Sequence, residues 1–260
     1  MIRRSSCRAS NWQDKKKGEK KGVRNLFIVL NMGRALRSTP GGFVYHVLNR
    51  SNGGARIFAQ AGDYKAFEHV IAQACERVPI RILSYCIMPN HWHMVVWPSR
   101  DGDLSQFVGW LTLTHSQRWH AYQRNAGSGH VYQGRFKSFV IQKDEHLLTV
   151  FRYVEMNALR ANLVTRAEAW RWCSLWRREF GDAEAKALLS EWPVERPSNW
   201  ISMVNEPETD AELRTLRQSV NRSQPFGADE WVAKAVGKLG LVSTVRRRGR
   251  PRKDISGQAL

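Results

Sequence analysis

Ile80-Arg81-Ile82-Leu83-Ser84-Tyr85-Cys86, the link Met88-Pro89-Asn90 and then His91-Trp92-His93-Met94-Val95-Val96-Trp97 form two strand-like runs joined by a tight turn. Branched and aromatic residues suit a pleated, half-buried surface, and Pro-Asn suits the turn between them. In a strand, residues i and i+2 share a face, so His91 and His93 project together while Trp92 packs on the other side. Two convergent imidazoles make half of a divalent-metal site. An isolated His-x-His more often fills a half-buried face, so the weight of this pair depends on its companions further along the chain.

Working outward from this hairpin, Phe43-Val44-Tyr45-His46-Val47-Leu48-Asn49-Arg50 reads as an earlier strand, ended by Asn52-Gly53-Gly54. A helix capped by Asp63 follows, with Phe67, Val70, Ile71 and Ala74 at helical spacing and Pro79 marking its end. Beyond the hairpin comes a long helix from about Leu104 to Arg124, then a flexible Gly127-Ser128-Gly129 link. A strand from Phe136 to Gln142 is next, and Asp144 caps a last helix reaching about Leu163. The order strand, helix, strand, strand, helix, strand, helix predicts a ferredoxin-like α+β fold: one mainly antiparallel sheet with helices packed on it.

After Trp170-Arg171-Trp172-Cys173-Ser174 the character changes to amphipathic helical stretches broken at Pro193, Pro197 and Pro207, then a small module with a helix around Trp231. The expected organisation is a basic disordered tail over 1–31, a domain built on the predicted sheet over 33–165, a helical extension over 166–241 and a basic tail over 242–260. Met32 serves equally well as a translation start on this reading.

The chain has 260 residues, 41 Lys and Arg against 23 Asp and Glu, and a formal charge of +18. Such an excess calls for a polyanionic partner, nucleic acid first and an anionic membrane surface second. No apolar run approaches the roughly 18 residues needed to cross a bilayer, so no membrane insertion is expected. Cys7, Cys75, Cys86 and Cys173 are scattered without a C-x-x-C pair, which indicates neither a zinc ribbon nor a disulfide framework. Free thiols point to a cytoplasmic, nucleoid-associated protein.

A metal on two imidazoles needs a further ligand and a reacting group. Tyr153 and Asn157, at i and i+4 of the last predicted helix, share one face about one turn apart. Asn157 would supply an oxygen ligand while Tyr153 places its hydroxyl beside the metal-bound group, with Arg152 and Arg160 adding positive charge. A tyrosine hydroxyl is a weak nucleophile at neutral pH, its ordinary pKa being about 10. A metal-polarised phosphodiester and a nearby base lower the barrier, and the product is a phosphotyrosine bond.

Met88-Pro89-Asn90-His91-Trp92-His93, then Gln133-Gly134-Arg135-Phe136-Lys137, then Arg152-Tyr153-Val154-Glu155-Met156-Asn157-Ala158-Leu159-Arg160-Ala161 resemble the REP-associated tyrosine transposases. These are relatives of the single-tyrosine insertion-sequence transposases in the HUH nuclease superfamily. The resemblance covers residues 33 to about 180, and the last thirty more loosely. It implies a nuclease domain acting on single-stranded or hairpin DNA, with His91 and His93 as metal ligands, Asn157 as third ligand, Tyr153 as nucleophile, and Mg or Mn as the metal. Cleavage would leave a 5′-phosphotyrosyl link and a free 3′-hydroxyl. Family members often read Asn-Pro-x-Arg where this chain has Asn157-Ala158-Leu159-Arg160, a change that touches helix rigidity more than chemistry.

Arg135 and Lys137 are placed to serve phosphates, and Tyr132, read as exposed, to stack on bases. His115, His120, His130 and His146 show no metal spacing. Arg248-Gly249-Arg250-Pro251-Arg252 resembles the core of an AT-hook, though a short basic tail more often binds phosphates without specificity. Two other functions fit parts of this pattern: a hairpin nucleic-acid binding protein without turnover, and a metallohydrolase that activates water on His91 and His93. Spacing leaves open whether the protein is a monomer or a homodimer.

Overall fold

The two strand-like runs do form a hairpin, and it lies along one side of a four-stranded sheet. The computed structural model describes residues 39–246. In it β1 (Val44–Arg50), β2 (Ile80–Met88), β3 (His91–Pro98) and β4 (Lys137–Ile141) assemble in the order β2-β3-β1-β4. Every neighbouring pair is antiparallel. The connections α1 (Ala61–Arg77), between β1 and β2, and α2 (Asp103–Gln123), between β3 and β4, each cross one intervening strand. This is the expected ferredoxin-like α+β topology.

Strand alternation divides the interior into two cores. Tyr45 and Val47 of β1 and Trp92, Met94 and Val96 of β3 point to the face covered by Phe67 and Ile71 of α1 and Phe107 and Leu111 of α2. The opposite parity, Val44 of β1, Val95 of β3 and Phe139 and Ile141 of β4, meets Leu147, Val150, Phe151 and Val154 of α3 (Glu145–Glu155). Each fully buried Phe, Leu or Val contributes about 1.5–3 kcal/mol. β2 is buried on both faces except at Arg81, which explains why its sequence reads as a nearly unbroken apolar run.

Some local expectations are corrected. Asp63 does not cap α1: Gln60 does, and Asp63 lies within the first turn, where its Oδ2 accepts from the backbone N–H of Ala59 and of Gln60 in a capping box. The last helix does not run unbroken to Leu163. It divides at Met156, where ψ is −7°, into α3 and the short α4 (Asn157–Arg160), and Asn162 at φ 54° turns the chain away. The break follows Glu155, which is fully buried and tied down at both oxygens. Its Oε1 accepts from Ser174 Oγ at 2.6 Å and Ser84 Oγ at 3.3 Å, and its Oε2 from Trp200 Nε1 at 2.8 Å.

The helical extension is present as α5 (Ser174–Phe180), α6 (Ala183–Ala187), α7 (Trp200–Asn205), α8 (Asp210–Arg222) and α9 (Asp229–Leu239). Val242–Val245, expected in the basic tail, forms a further short helix, α10. The extension packs on α3 through Trp200, Val204 and Leu216 and runs along both outer strands. On the β2 side, Ile87 N–H donates to Trp172 O at 2.9 Å and Ser190 N–H to Ile82 O at 2.8 Å. On the β4 side, Phe226 N–H donates to Val140 O and Gln142 N–H to Phe226 O, both at 2.9 Å. Cys75, Cys86 and Cys173 are free thiols, as expected, and no described helix is long and apolar enough to cross a membrane. The basic segment 1–31 and the Arg248-to-Arg252 motif lie outside the described residues.

Candidate active site

The site forms where the start of β3, the middle of β1 and the end of α3 meet on the face of the second core. Because β3 alternates, Trp92 points away into the first core, fully buried, while His91 and His93 share the opposite face with ring centroids 5.0 Å apart. The Tyr153 ring approaches His93 edge-on, centroids 5.8 Å apart, and is 8% exposed. Asn157 is buried at the start of α4, and its amide nitrogen has no partner among the described residues.

A third imidazole completes the cluster. His46 on β1 is buried, and its Nε2 lies 2.9 Å from His93 Nδ1. It packs against Phe139 with centroids 4.8 Å apart and meets Tyr153 edge-on at 6.2 Å. His91 Nδ1 donates to Asn90 Oδ1 at 2.6 Å. Among the described residues, the hydrogen bonds of His91 and His93 therefore use Nδ1 of each ring and leave both Nε2 atoms out.

Burial sets the charge state of these rings. Desolvation, followed by the neighbouring Arg50 and Arg160, pushes His91 down to about 4. Desolvation, His46, His91 and Arg160 hold His93 well below the ordinary histidine range, and desolvation takes His46 down to about 3. All three are neutral near pH 7, the form in which imidazole ligates a metal. Burial raises the Tyr153 hydroxyl above its usual value; Arg160 and Arg217 oppose the rise and Glu208 adds to it.

The predicted cations divide into three groups. Arg160 lies over the Tyr153 ring, 4.3 Å from its centroid, and its Nη1 bonds Glu208 Oε2 at 2.6 Å. Lys137, exposed at the start of β4, pairs in register with Leu48, which also pairs with His93, so it shares that face and that end of the sheet. Arg135 is exposed just before it. Arg152 is turned inward instead: its Nη2 donates to the carbonyls of Glu206 and Pro207 at 2.8 and 3.1 Å. Arg248 and Arg250 lie outside the described residues.

Tyr132, expected to be an exposed stacking residue, is buried in the first core. Its hydroxyl is 2.8 Å from His115 Nδ1 and accepts from Trp92 Nε1 at 3.2 Å, so it supports the His-bearing strand from behind. The reason is local: the chain before β4 pairs Tyr132 with Ser51 beside the end of β1. Asp144, Glu145 and His146 bring ligand atoms within 4.8 Å of one another, but Asp144 caps α3 by accepting from the backbone N–H and the Nδ1 of His146. Its geometry is that of a helix start.

His46, Arg50, Glu208 and Arg217 join the site without having been marked by the sequence. His46 and Arg50 stand in a recognisable strand, but only the β1–β3 register shows which neighbours they meet. Glu208 and Arg217 come from the stretch between Pro207 and Pro225, where no motif signals a role.

Residues 41–157, which contain His46, His91, His93, Tyr153 and Asn157, match the family model described as "Transposase IS200 like". Over this stretch the chain is similar to the IS200-like transposases. A curated Haemophilus influenzae protein named as a REP-associated tyrosine transposase is 21% identical to this chain over 134 residues, spanning 48% of this chain and 74% of that protein. A solved REP-associated tyrosine transposase, described as bound to a REP hairpin, is 17% identical with a TM-score of 0.46, covering 64% of this chain and 93% of its own. A Deinococcus radiodurans transposase crystal structure is 12% identical with a TM-score of 0.34, covering 47% of this chain and 94% of that one. The IS200-like match ends at Asn157, so Arg160 and the extension with Glu208 and Arg217 lie beyond it.

Proposed function

We propose that this protein is a transposase of the IS200-like type: a metal-dependent single-strand DNA endonuclease and strand transferase, acting on DNA hairpins through a 5′-phosphotyrosine on Tyr153. The observation that carries this reading is the approach of Tyr153 to a pair of neutral imidazoles whose Nε2 atoms take no part in the internal hydrogen bonds. A buried tyrosine of ordinary structural role has no need of such neighbours.

The residues fit a divalent cation such as Mg or Mn. His91 and His93 offer Nε2, and Asn157, whose amide nitrogen is buried without a partner, offers its amide oxygen once the amide is reversed. When bound, such an ion polarises the scissile phosphodiester. The protein's own groups do the rest. Tyr153 Oη attacks phosphorus and gives its proton to water; a P–Oη bond forms as the bond to the 3′-oxygen breaks, and that oxygen leaves with the electron pair and takes a proton from water as a 3′-hydroxyl. Loss of the tyrosine proton is opposed by burial and helped by Arg160 and Arg217. Arg160, Lys137 and Arg135 bind the DNA backbone, in keeping with the charge of +18.

The test is incubation of the protein with labelled single-stranded hairpin DNA from the gene's flanks and Mn²⁺, beside Tyr153→Phe. A covalent protein–DNA adduct on a denaturing gel is expected from the wild type, with a loss of at least about 10³-fold in the variant. Cleavage by both proteins without an adduct would make water the nucleophile. Binding without cleavage by either would make the protein a hairpin binder without turnover.

A further inference from the structure

Between α4 and the segment joining α7 to α8 lies a cavity of about 340 Å³, lined by Met156, Leu159, Pro207, Leu213, Arg160 and Glu208. The Glu208 side chain is 3% exposed. Its Oε2 is engaged by Arg160, but its Oε1 is buried and has no hydrogen-bond partner among the described residues. A buried carboxylate oxygen without a donor is costly, and such atoms are normally satisfied by something that enters the site. Apolar walls with one acceptor and one fixed cation suit a planar group that carries an N–H donor.

The cavity's position says which group. The Arg160 guanidinium that holds Glu208 also lies over the Tyr153 ring. One side chain thus touches both the cavity and the residue read as the nucleophile. A nucleotide whose phosphate meets Tyr153 carries its base one sugar away from that phosphate, and Arg160 joins the Tyr153 ring to the cavity wall. Neither Glu208 nor the cavity wall at Pro207 and Leu213 belongs to the 41–157 stretch.

We infer that this cavity receives the DNA base flanking the scissile phosphate, and that Glu208 selects an amino-bearing base by accepting a hydrogen bond from its exocyclic amine. The inference rests on the function proposed above. Thymine is disfavoured because its one ring donor, N3–H, lies between two carbonyl oxygens that the carboxylate repels, whereas adenine, cytosine and guanine each present an exocyclic amine. Glu208 is then the specificity-determining residue that the extension adds to the site.

The test uses the full chain and stem-loop oligonucleotides from the gene's flanks. Each of the four bases is placed in turn at every single-stranded position beside the stem, and binding is followed by fluorescence anisotropy. Wild type should bind about tenfold more weakly when thymine occupies one such position. Replacing adenine there by unsubstituted purine, which lacks the amine, should cost wild type a similar factor. In Glu208→Gln the side-chain oxygen must accept from Arg160, which turns the amide N–H toward the cavity. The preference should then disappear or reverse toward thymine at that position alone, with melting temperature and the other positions unchanged. Equal wild-type affinity for all four bases at every flanking position would overturn the inference, as would a wild-type profile in Glu208→Gln. Wild type that binds no hairpin DNA at all would overturn the proposed function, and this inference with it.

Discussion

His46 has its Nε2 against His93 Nδ1, and its Nδ1 has no hydrogen-bond partner among the described residues. For His93 to present Nε2 as a lone pair, its proton must sit on Nδ1 and His46 Nε2 must accept it. His46 then carries its own proton on the partnerless Nδ1, at a cost of about 1–3 kcal/mol. Replacing His46 by Phe should remove that cost together with the acceptor. Because the His93 Nδ1–H is then left unpartnered in its place, the expected outcome is a metal-free protein with a melting temperature close to wild type and a Mn²⁺ affinity reduced about 10- to 100-fold. Calorimetry and a Mn²⁺ titration followed by electron paramagnetic resonance would check the two halves, and unchanged affinity would remove His46 from the site. At this scale the sequence displays what lies close along the chain. His91 and His93 share a strand face, and Tyr153 is one turn from Asn157. The pairing of His46 with His93, 47 positions away in sequence, is set by strand register and is invisible in spacing.

Among the elements, α3 carries the heaviest internal restraint. Glu155 takes hydrogen bonds from β2, α5 and α7 at once, and burial raises its carboxyl above the ordinary value. It therefore fixes the height of α3 over the sheet, and with it Tyr153 two residues before. Glu155→Ala strands the Trp200 indole N–H and the Ser174 hydroxyl in the interior, and should lower stability by roughly 2–3 kcal/mol. Urea unfolding would measure this. A drop below about 0.5 kcal/mol would mean that the donors find water. The strands, α1 and α2 were legible because their apolar residues repeat at clean periods. The break at Met156 was not, since Asn157-Ala158-Leu159-Arg160 continues a good helical pattern and only the tethering of Glu155 by distant residues interrupts it. Tyr132 was misplaced for a similar reason: a tyrosine between Val131 and Gln133 reads as surface until its bonds to Trp92 and His115 are seen.

For the whole molecule, acid is the foreseeable weakness. His91 and His115 are held down to about 4 and His46 to about 3, against an unfolded value of 6.5. His93 is lowered as well, and desolvation is the first cause in every case. Between pH 6.5 and 4 the unfolded chain therefore binds protons that the folded chain refuses. The stabilisation is complete above 6.5 and is lost as pH falls toward the folded values. Melting temperature should decline steadily from pH 7 to 5, and less steeply in His115→Phe. A flat profile would mean that these rings are not held neutral by the fold.

The sheet meets the helical extension along both of its margins, at Ile82 and Ile87 on β2 and at Val140 of β4 and Gln142 just after it. A chain stopped near residue 165 would keep every strand and all of the residues read as catalytic. It would also bare two rows of unpaired backbone amides and carbonyls, ready to recruit a neighbour's strand. Such a fragment should leave solution as ribbon-like aggregates that bind amyloid dyes, and light scattering against the full chain would reveal it. The portion of the molecule with no recognisable motif thus doubles as its protection against self-templated polymerisation.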